Sequence, residues 1–276
     1  MKIGYHFALR WALWKRLSYA RRLAVVARAP QPLAPATDAT LYAFSGTRDL
    51  PEQVASLKSF LRHAADPKRI VIVGDGTHTE SDRAVLRSVH PRLETVPWDS
   101  FLGHAVPEVL LAYARAHPLG KKIAVLLSVP ASGPWVFSDS DILFFPGAAD
   151  LRERLAPGRN DVEYLEDCYP SLDGRLIRDE AEKEAPVNSG FVIVHRPLDW
   201  SEALERFAGM SGEPGYFTEQ TLFHLTIRRS GGRALPKDRY VIQSDDQWIA
   251  RDLHTGPDVA LRHYFSSLRY KMWLKV

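Results

Sequence analysis

Residues 135–145 read Trp-Val-Phe-Ser-Asp-Ser-Asp-Ile-Leu-Phe-Phe, an apolar run bounded by Gly133-Pro134 and Pro146-Gly147. So dense a run predicts a buried strand, yet two carboxylates, Asp139 and Asp141, interrupt it. A buried charge without compensation is costly, so the pair needs partners, a solvated strand end or a cation. In an extended chain residues i and i+2 share a face, about 6.5–7 Å apart. Two carboxylates so placed repel each other unless something positive stands between them. A hard divalent cation, Mg²⁺ or Mn²⁺, suits oxygen ligands and keeps positions free for water and phosphate. The alternative is a strand that ends at Ser138, followed by two solvated turn aspartates.

The 276 residues suffice for one large α/β domain or two small ones, with an ample core. A single cysteine, Cys168, excludes an intrachain disulfide and any multi-cysteine metal site. It fits a reducing compartment, and a cytoplasmic protein is expected. No stretch approaches the roughly 18–20 consecutive apolar residues of a membrane span. The net charge of +3 hides an asymmetry. Residues 1–37 carry seven cations (Lys2, Arg10, Lys15, Arg16, Arg21, Arg22, Arg28) and no acid. The rest of the chain is net acidic, so the positive charge is local and nucleic acid is not an expected partner.

Phe7, Trp11, Trp14 and Leu17 recur at helical spacing among those cations, which predicts one helix over 5–28. Tryptophan beside arginine suits either peripheral contact with an anionic membrane, on its inner face, or packing on the domain. The proline-rich stretch 29–35 closes this arm, so the expected division is an arm over 1–36 and one domain over 37–276. From Thr40 strands and helices alternate: strands at 41–44, 69–73, 93–96 and 135–138, helices at 51–63, 81–88, 106–116 and 121–127. Such alternation implies a mainly parallel sheet with its ligand site at the carboxyl ends of the strands. Ser45, Asp75 and Asp139 then fall on one rim. Beyond Pro146 the pattern loosens, with a charged excursion at 175–184, strands at 191–194, 240–242 and 263–265, and helices at 200–210 and 218–228.

Taken in order, these motifs resemble the GT-A-fold glycosyltransferases, in particular the group that includes glycogenin and the bacterial lipopolysaccharide galactosyl- and glucosyltransferases. The resemblance covers roughly 38–276. It implies an α/β Rossmann-like mixed sheet flanked by helices, a nucleotide-sugar donor, UDP-sugar above all, and a glycan or lipid-linked saccharide as acceptor. Asp139-Ser140-Asp141 matches the Asp-x-Asp that holds Mn²⁺ or Mg²⁺ on the donor diphosphate, and His263-Tyr264 matches the motif supplying the third ligand. Asn188-Ser189-Gly190 matches the Asn-Ser-Gly of the donor-sugar pocket. Glu219-Gln220 stands where the family has Asp-Gln, facing the transferring sugar or the acceptor. Two departures follow His263: the family's glycine is Ser266, and its lysine is Arg269. Lys271 and Trp273 match the family's Lys-Pro-Trp end only with a two-residue slip, so both Arg269 and Lys271 stand as cations for the diphosphate. The resemblance also implies retention at the anomeric carbon.

The chemistry agrees with the motifs. Cleavage of a glycosyl–phosphate bond loads negative charge onto the leaving diphosphate, and a metal with one or two cations stabilises that charge. Phe44-Ser45-Gly46 would meet base and ribose, glycine permitting close backbone approach, and Asp75 would accept their hydrogen bonds. Simpler roles exist for each residue: Gly46 and Asp75 as turn formers, Asn188 as a strand-entry turn, Glu219 as a helix-dipole partner, His263 as a packing residue. Two other classes remain open. A haloacid dehalogenase-type phosphatase would use Asp139 as nucleophile with Asp141, Lys237 and Asp245-Asp246. A non-catalytic sugar-nucleotide-binding protein would bind donor without turnover.

Overall fold

The computed structural model describes residues 2–103 and 106–276. The arm forms two helices, α1 (Lys2–Arg21) and α2 (Leu23–Arg28), instead of the single helix expected over 5–28. The break falls at Arg22, whose φ of −109° and ψ of 14° leave helical geometry. The alternating region then runs β1 (Ala36–Ser45), α3 (Leu50–His63), β2 (Asp66–Gly74), α4 (Glu80–Arg87), β3 (Leu93–Pro97). It continues through α5 (Trp98–Phe101), α6 (Glu108–Ala116) and α7 (Pro118–Ser128) to β4 (Trp135–Ser138). Local chemistry sets several boundaries. Pro51 sits in the first turn of α3, where its missing N–H costs nothing. Thr79 and Asp82 form a reciprocal capping box at the start of α4.

The remaining elements are β5 (Ile142–Phe144), α8 (Leu151–Arg154), β6 (Val162–Glu166), β7 (Val187–Val194), α9 (Ser201–Ala208) and α10 (Thr218–Arg229). The chain ends with β8 (Arg233–Ala234), β9 (Tyr240–Val241), β10 (Leu261–His263) and α11 (Arg269–Lys275). Seven strands form one sheet in the order β3-β2-β1-β4-β7-β6-β8. Strands β3, β2, β1 and β4 are parallel, while β7 runs antiparallel to both β4 and β6. The sheet is therefore mixed, flanked by helices. Its strands bury both faces with a period of two. Leu41, Ala43, Ile70, Ile72, Val136 and Ile193 point to one core with α3, and Tyr42, Val71, Val73, Phe137 and Val192 to the other with α7 and α10.

The run 135–145 is two strands in two sheets. β4 ends at Ser138, and β5 pairs with β10 in a three-stranded sheet ordered β5-β10-β9. Asp139 and Asp141 occupy the turn between them. The same-face argument for an extended chain thus does not apply, and the strand end proposed in the alternative reading is the observed one. Asp141 is nevertheless not solvated, at 5% exposed, while Asp139 is half-buried. A ladder cannot accommodate two buried carboxylates, but a turn at the sheet rim lets cations from other elements reach them.

The arm does not stand apart from the domain. Leu23 and Ala27 join the core cluster of β1 and α3. Arg16 Nε donates to Glu52 Oε1 at 2.5 Å, an oxygen that also accepts from Trp273 Nε1 at 3.0 Å.

Candidate active site

The turn after β4 opens into a cleft of about 410 Å³ at the carboxyl rim of the sheet. Its walls include Lys122 from α7, Asp139 and Asp141, Asp167 past β6, Asn188 and Ser189 from β7, Glu219 and Gln220 from α10, His263 from β10, and Arg269 from α11. Residues spread over nearly 150 positions of sequence meet here because the ends of β4, β6, β7 and β10 and the first turns of α7, α10 and α11 face the same space.

Antiparallel pairing of β10 with β5 sets His263 opposite Ile142, next to Asp141. His263 Nε2 lies 3.0 Å from Asp141 Oδ1 and 3.9 Å from Asp139 Oδ2. One atom from each of Asp139, Asp141 and His263 lies within 4.8 Å of the others. Asn188 fixes the ring. Its Oδ1 accepts from Gly190 N at 2.9 Å and faces His263 Nδ1 at 3.1 Å, while its Nδ2 donates to Asp167 Oδ2 at 3.1 Å. With Nδ1 against Asn188 Oδ1, Nε2 is the ring atom turned toward the two carboxylates. An O,O,N set of this kind fits Mn²⁺ or Mg²⁺, and a divalent ion between these atoms would relieve their mutual repulsion.

Each residue of Asn188-Ser189-Gly190 has its own task. Gly190 leaves room for the imidazole, since a Cβ at that position would lie 2.5 Å from His263 Cε1. Its carbonyl accepts from Asp139 N at 2.8 Å, which holds the turn to β7. Ser189 Oγ accepts from Lys122 Nζ at 3.2 Å and donates to Glu219 Oε2 at 3.2 Å.

Two cations compensate the carboxylates. Arg269 donates through Nη2 to Asp141 Oδ2 at 2.7 Å and through Nη1 to Asp49 Oδ1 at 3.0 Å. Burial alone would raise the Asp141 carboxyl pKa, but His263 and Arg269 reverse this and hold it well below the usual carboxylate range. Lys122 Nζ contacts Asp139 at 2.8 Å. Burial alone would favour its neutral amine, yet Asp139 and Glu219 outweigh burial and raise its pKa. Glu219 is 3% exposed, and burial pushes its carboxyl pKa up, against the pull of Lys122. Its Oε1 is buried with no hydrogen-bond partner, 3.9 Å from Lys122 Nζ. Gln220 is tied down instead, donating to Asp167 Oδ2 and to the Ser171 carbonyl, both at 3.0 Å.

Of the residues expected from sequence, Asn188, Glu219, Gln220, Asp139, Ser189, Arg269, Asp141 and His263 all line this cleft. Gly190 backs it. Ser140 is buried in the turn and does not line it. Lys271 is a correction: its side chain is fully buried on the far side of α11, its Nζ 2.8 Å from Asp246 and donating to the Arg251 carbonyl. On a short helix two positions rotate a side chain by about 200°, so only Arg269 can face the aspartates. Phe44, Ser45, Gly46 and Asp75 sit on the same rim, at the carboxyl ends of β1 and β2, but outside the cleft wall. The Asp75 carboxylate accepts from Thr77 N and Oγ1 at 2.8 and 2.6 Å, and it fills the space a side chain at Gly46 would need. Ser45 Oγ is buried without a partner.

Sequence reasoning missed Lys122. A lysine in a helix reads as solvated; the available signal was its place among Leu119, Ile123 and Leu126, on the apolar side of α7. The phosphatase constellation does not assemble. Lys237 pairs with Glu166 at 2.7 Å, and Asp246 is wholly buried between Arg262 and Lys271. Asp245, Asp246 and His254 do cluster, but two cations already neutralise Asp246.

No protein-family model matches the chain, and no curated protein matches it. Solved structures do. The chain is similar to the galactosyltransferase LgtC in complex with donor and acceptor sugar analogues, at 14% identity and a TM-score of 0.51, over 86% of this chain and 95% of that one. It is similar to the glycosyltransferase GlyE of Streptococcus pneumoniae at 14% identity and a TM-score of 0.53, over 87% of this chain and 60% of that one. It also matches the bifunctional glycosyltransferase WbbM, at 14% identity and a TM-score of 0.50, over 90% of this chain but only 50% of WbbM's length. The chain has the GT-A glycosyltransferase fold. In GT-A terms the cleft lies at the end of the fourth parallel strand, and the expected mixed α/β sheet is the observed one.

Proposed function

We propose that this protein is a metal-dependent glycosyltransferase. It moves a hexosyl group from a nucleotide-diphosphate sugar, most simply a UDP-sugar, to a glycan or lipid-linked saccharide, with retention at the anomeric carbon. The observation that carries this reading is the meeting of Asp139, Asp141 and His263 with Arg269 and Lys122 in one cleft at the sheet's carboxyl rim.

Asp139, Asp141 and His263 would hold the ion, Mn²⁺ or Mg²⁺, which when bound supplies Lewis-acid stabilisation to a leaving diphosphate. Arg269 sits where its guanidinium adds fixed positive charge to the same leaving group. The buried, unpartnered Glu219 Oε1 can accept a hydrogen bond from a donor-sugar hydroxyl, and Lys122 beside it keeps that corner from accumulating net negative charge. Asp167 orients Asn188 and Gln220, and so acts on the ring and on the sugar pocket through them. Ser45 Oγ and Asp75, on the rim at the ends of β1 and β2, suit contacts to ribose and base.

The test is a thermal-shift panel with UDP, GDP, CDP and ADP, each with and without Mn²⁺, on the wild type and Asp141→Ala. A native-state ligand raises Tm with its occupancy. The expected result is a metal-dependent shift with one nucleotide, lost in the variant. The absence of a shift with every nucleotide would reject the donor site. Proton NMR of the product anomer decides retention.

A further inference from the structure

Helix α1 is apolar on the wrong side. Its inward stripe of Tyr5, Ala8, Leu9, Ala12 and Tyr19 packs on the domain, with Ala8 and Ala12 nearly inaccessible. A surface helix normally turns polar residues outward. Here the opposite face presents Phe7 (69% exposed), Leu13 (57%), Trp14 (56%), Trp11 (46%) and Leu17 (45%). Trp11 and Trp14 stack with centroids 4.8 Å apart, which makes one flat aromatic plate. Arg10 and Arg21 emerge on that same face and are exposed, and Arg22 and Arg28 continue the basic run into α2.

We infer that the outward face of α1 docks on an anionic lipid bilayer and lies in the headgroup plane. Exposed aromatic side chains interleaved with long cationic ones fit that boundary: the rings enter the acyl margin while arginine heads remain at the phosphates. Charge complementarity selects this occupant. No acid occurs among the first 37 residues, so a second copy docking through the same face would set Arg10, Arg21, Arg22 and Arg28 against cations with no acid to pair them. A purely anionic partner would match the cations but leave five large apolar side chains uncovered. No helix among the described residues is long and apolar enough to cross a membrane, which leaves the in-plane arrangement. The other side of α1 rests on α11, which carries Arg269 into the cleft. A docked bilayer would therefore be separated from the donor site by α1 and α11. This inference is independent of the proposed reaction.

The test is flotation of the full chain with vesicles of phosphatidylcholine alone or mixed with phosphatidylglycerol. The wild type is expected to float with anionic vesicles, in a salt-sensitive manner, and not with neutral ones. Replacing Arg10 and Arg21 together by Glu should lower the partition coefficient by about tenfold or more, since each basic residue near an anionic surface contributes about a factor of five. Replacing Phe7 and Trp14 by Ser, both exposed and outside the cleft, should lower it comparably while leaving Tm unchanged. Failure of the wild type to float with anionic vesicles would overturn the proposal, as would flotation undiminished by the Phe7/Trp14 change. Heparin binding of equal strength in that variant and the wild type, without flotation, would reassign the face to a soluble polyanion.

Discussion

Asn188 Oδ1 lies 3.1 Å from His263 Nδ1, and this contact turns the opposite nitrogen of the ring toward Asp141, 3.0 Å away. Asn188 can only accept there, because the same oxygen takes Gly190 N–H and its amide nitrogen donates to Asp167. The ring orientation thus depends on an uncharged residue two positions before a strand glycine. Asn188→Ala should weaken Mn²⁺ affinity by about 10–100-fold, as loss of a ligand-orienting partner does. Calorimetric titration of Mn²⁺ in the presence of UDP measures this; an unchanged affinity would remove Asn188 from the site.

Gly190 imposes a steric condition on the same ring. A methyl group there would stand 2.5 Å from His263 Cε1 and 2.8 Å from Asn188 Oδ1, so one of them must move. Gly190→Ala is expected to abolish metal-dependent nucleotide binding and to lower Tm by several degrees, as crowding in a packed site costs about 1–3 kcal/mol. Gly174→Ala, where nothing lies within 4 Å, is the control and should bind as the wild type does.

Two cations on α11, two positions apart, should behave oppositely. Arg269 is partly accessible in the cleft and holds Asp141; Lys271 is fully buried against Asp246. Arg269→Ala should weaken UDP binding while Tm falls little. Lys271→Met should cost about 3–5 kcal/mol, because it strips one partner from a buried ion pair, while the folded fraction binds UDP normally. Paired urea melts and nucleotide titrations separate the two. Equal effects on binding would place both residues in the donor site.

How much of this was legible follows from geometry. Period-two burial made β1, β2 and β4 readable, since both faces of those strands are apolar, and the rim that carries Asp139 follows from a parallel sheet. Strand β6 escaped because Glu163 and Glu166 interrupt its apolar pattern. Glu163 Oε1 accepts from Arg154, nine residues away, on a separate helix. Asn188, His263 and Glu219 were nameable from motif order, but no sequence argument could set Lys122 against Asp139 and Glu219. That pairing exists only once α7 lies across the end of β4. Lys271 was misassigned for the converse reason: its type suits a diphosphate, and only the phase of α11 shows that it faces inward. Ser266 completes the set. At φ 46° it holds the left-handed backbone that favours glycine, the residue the resemblance leads one to expect there, and Arg269 comes out on the cleft side.

The segment 167–184, which carries Tyr169 and Ser171 to the cleft, is pinned by charge and so should loosen in acid. Glu182 takes both guanidinium nitrogens of Arg206, at 2.7 and 2.5 Å, and that hydrogen bonding holds its carboxyl at about 2. Asp173 is likewise held at about 2, first by Arg175 and then by Thr218 at the start of α10. Both folded pKa values lie below the unfolded ones of about 4. The unfolded chain therefore binds protons first, and the stabilisation is complete above roughly pH 5 and lost as pH falls toward 2. Glu182→Gln should show a lower Tm than the wild type at pH 7, and the gap should close as pH falls through that window. Salt should narrow the gap at neutral pH only in part, because Arg206 is 7% exposed and poorly screened. A gap that stays constant from pH 7 to pH 3 would mean that Glu182 acts through packing and not through its charge.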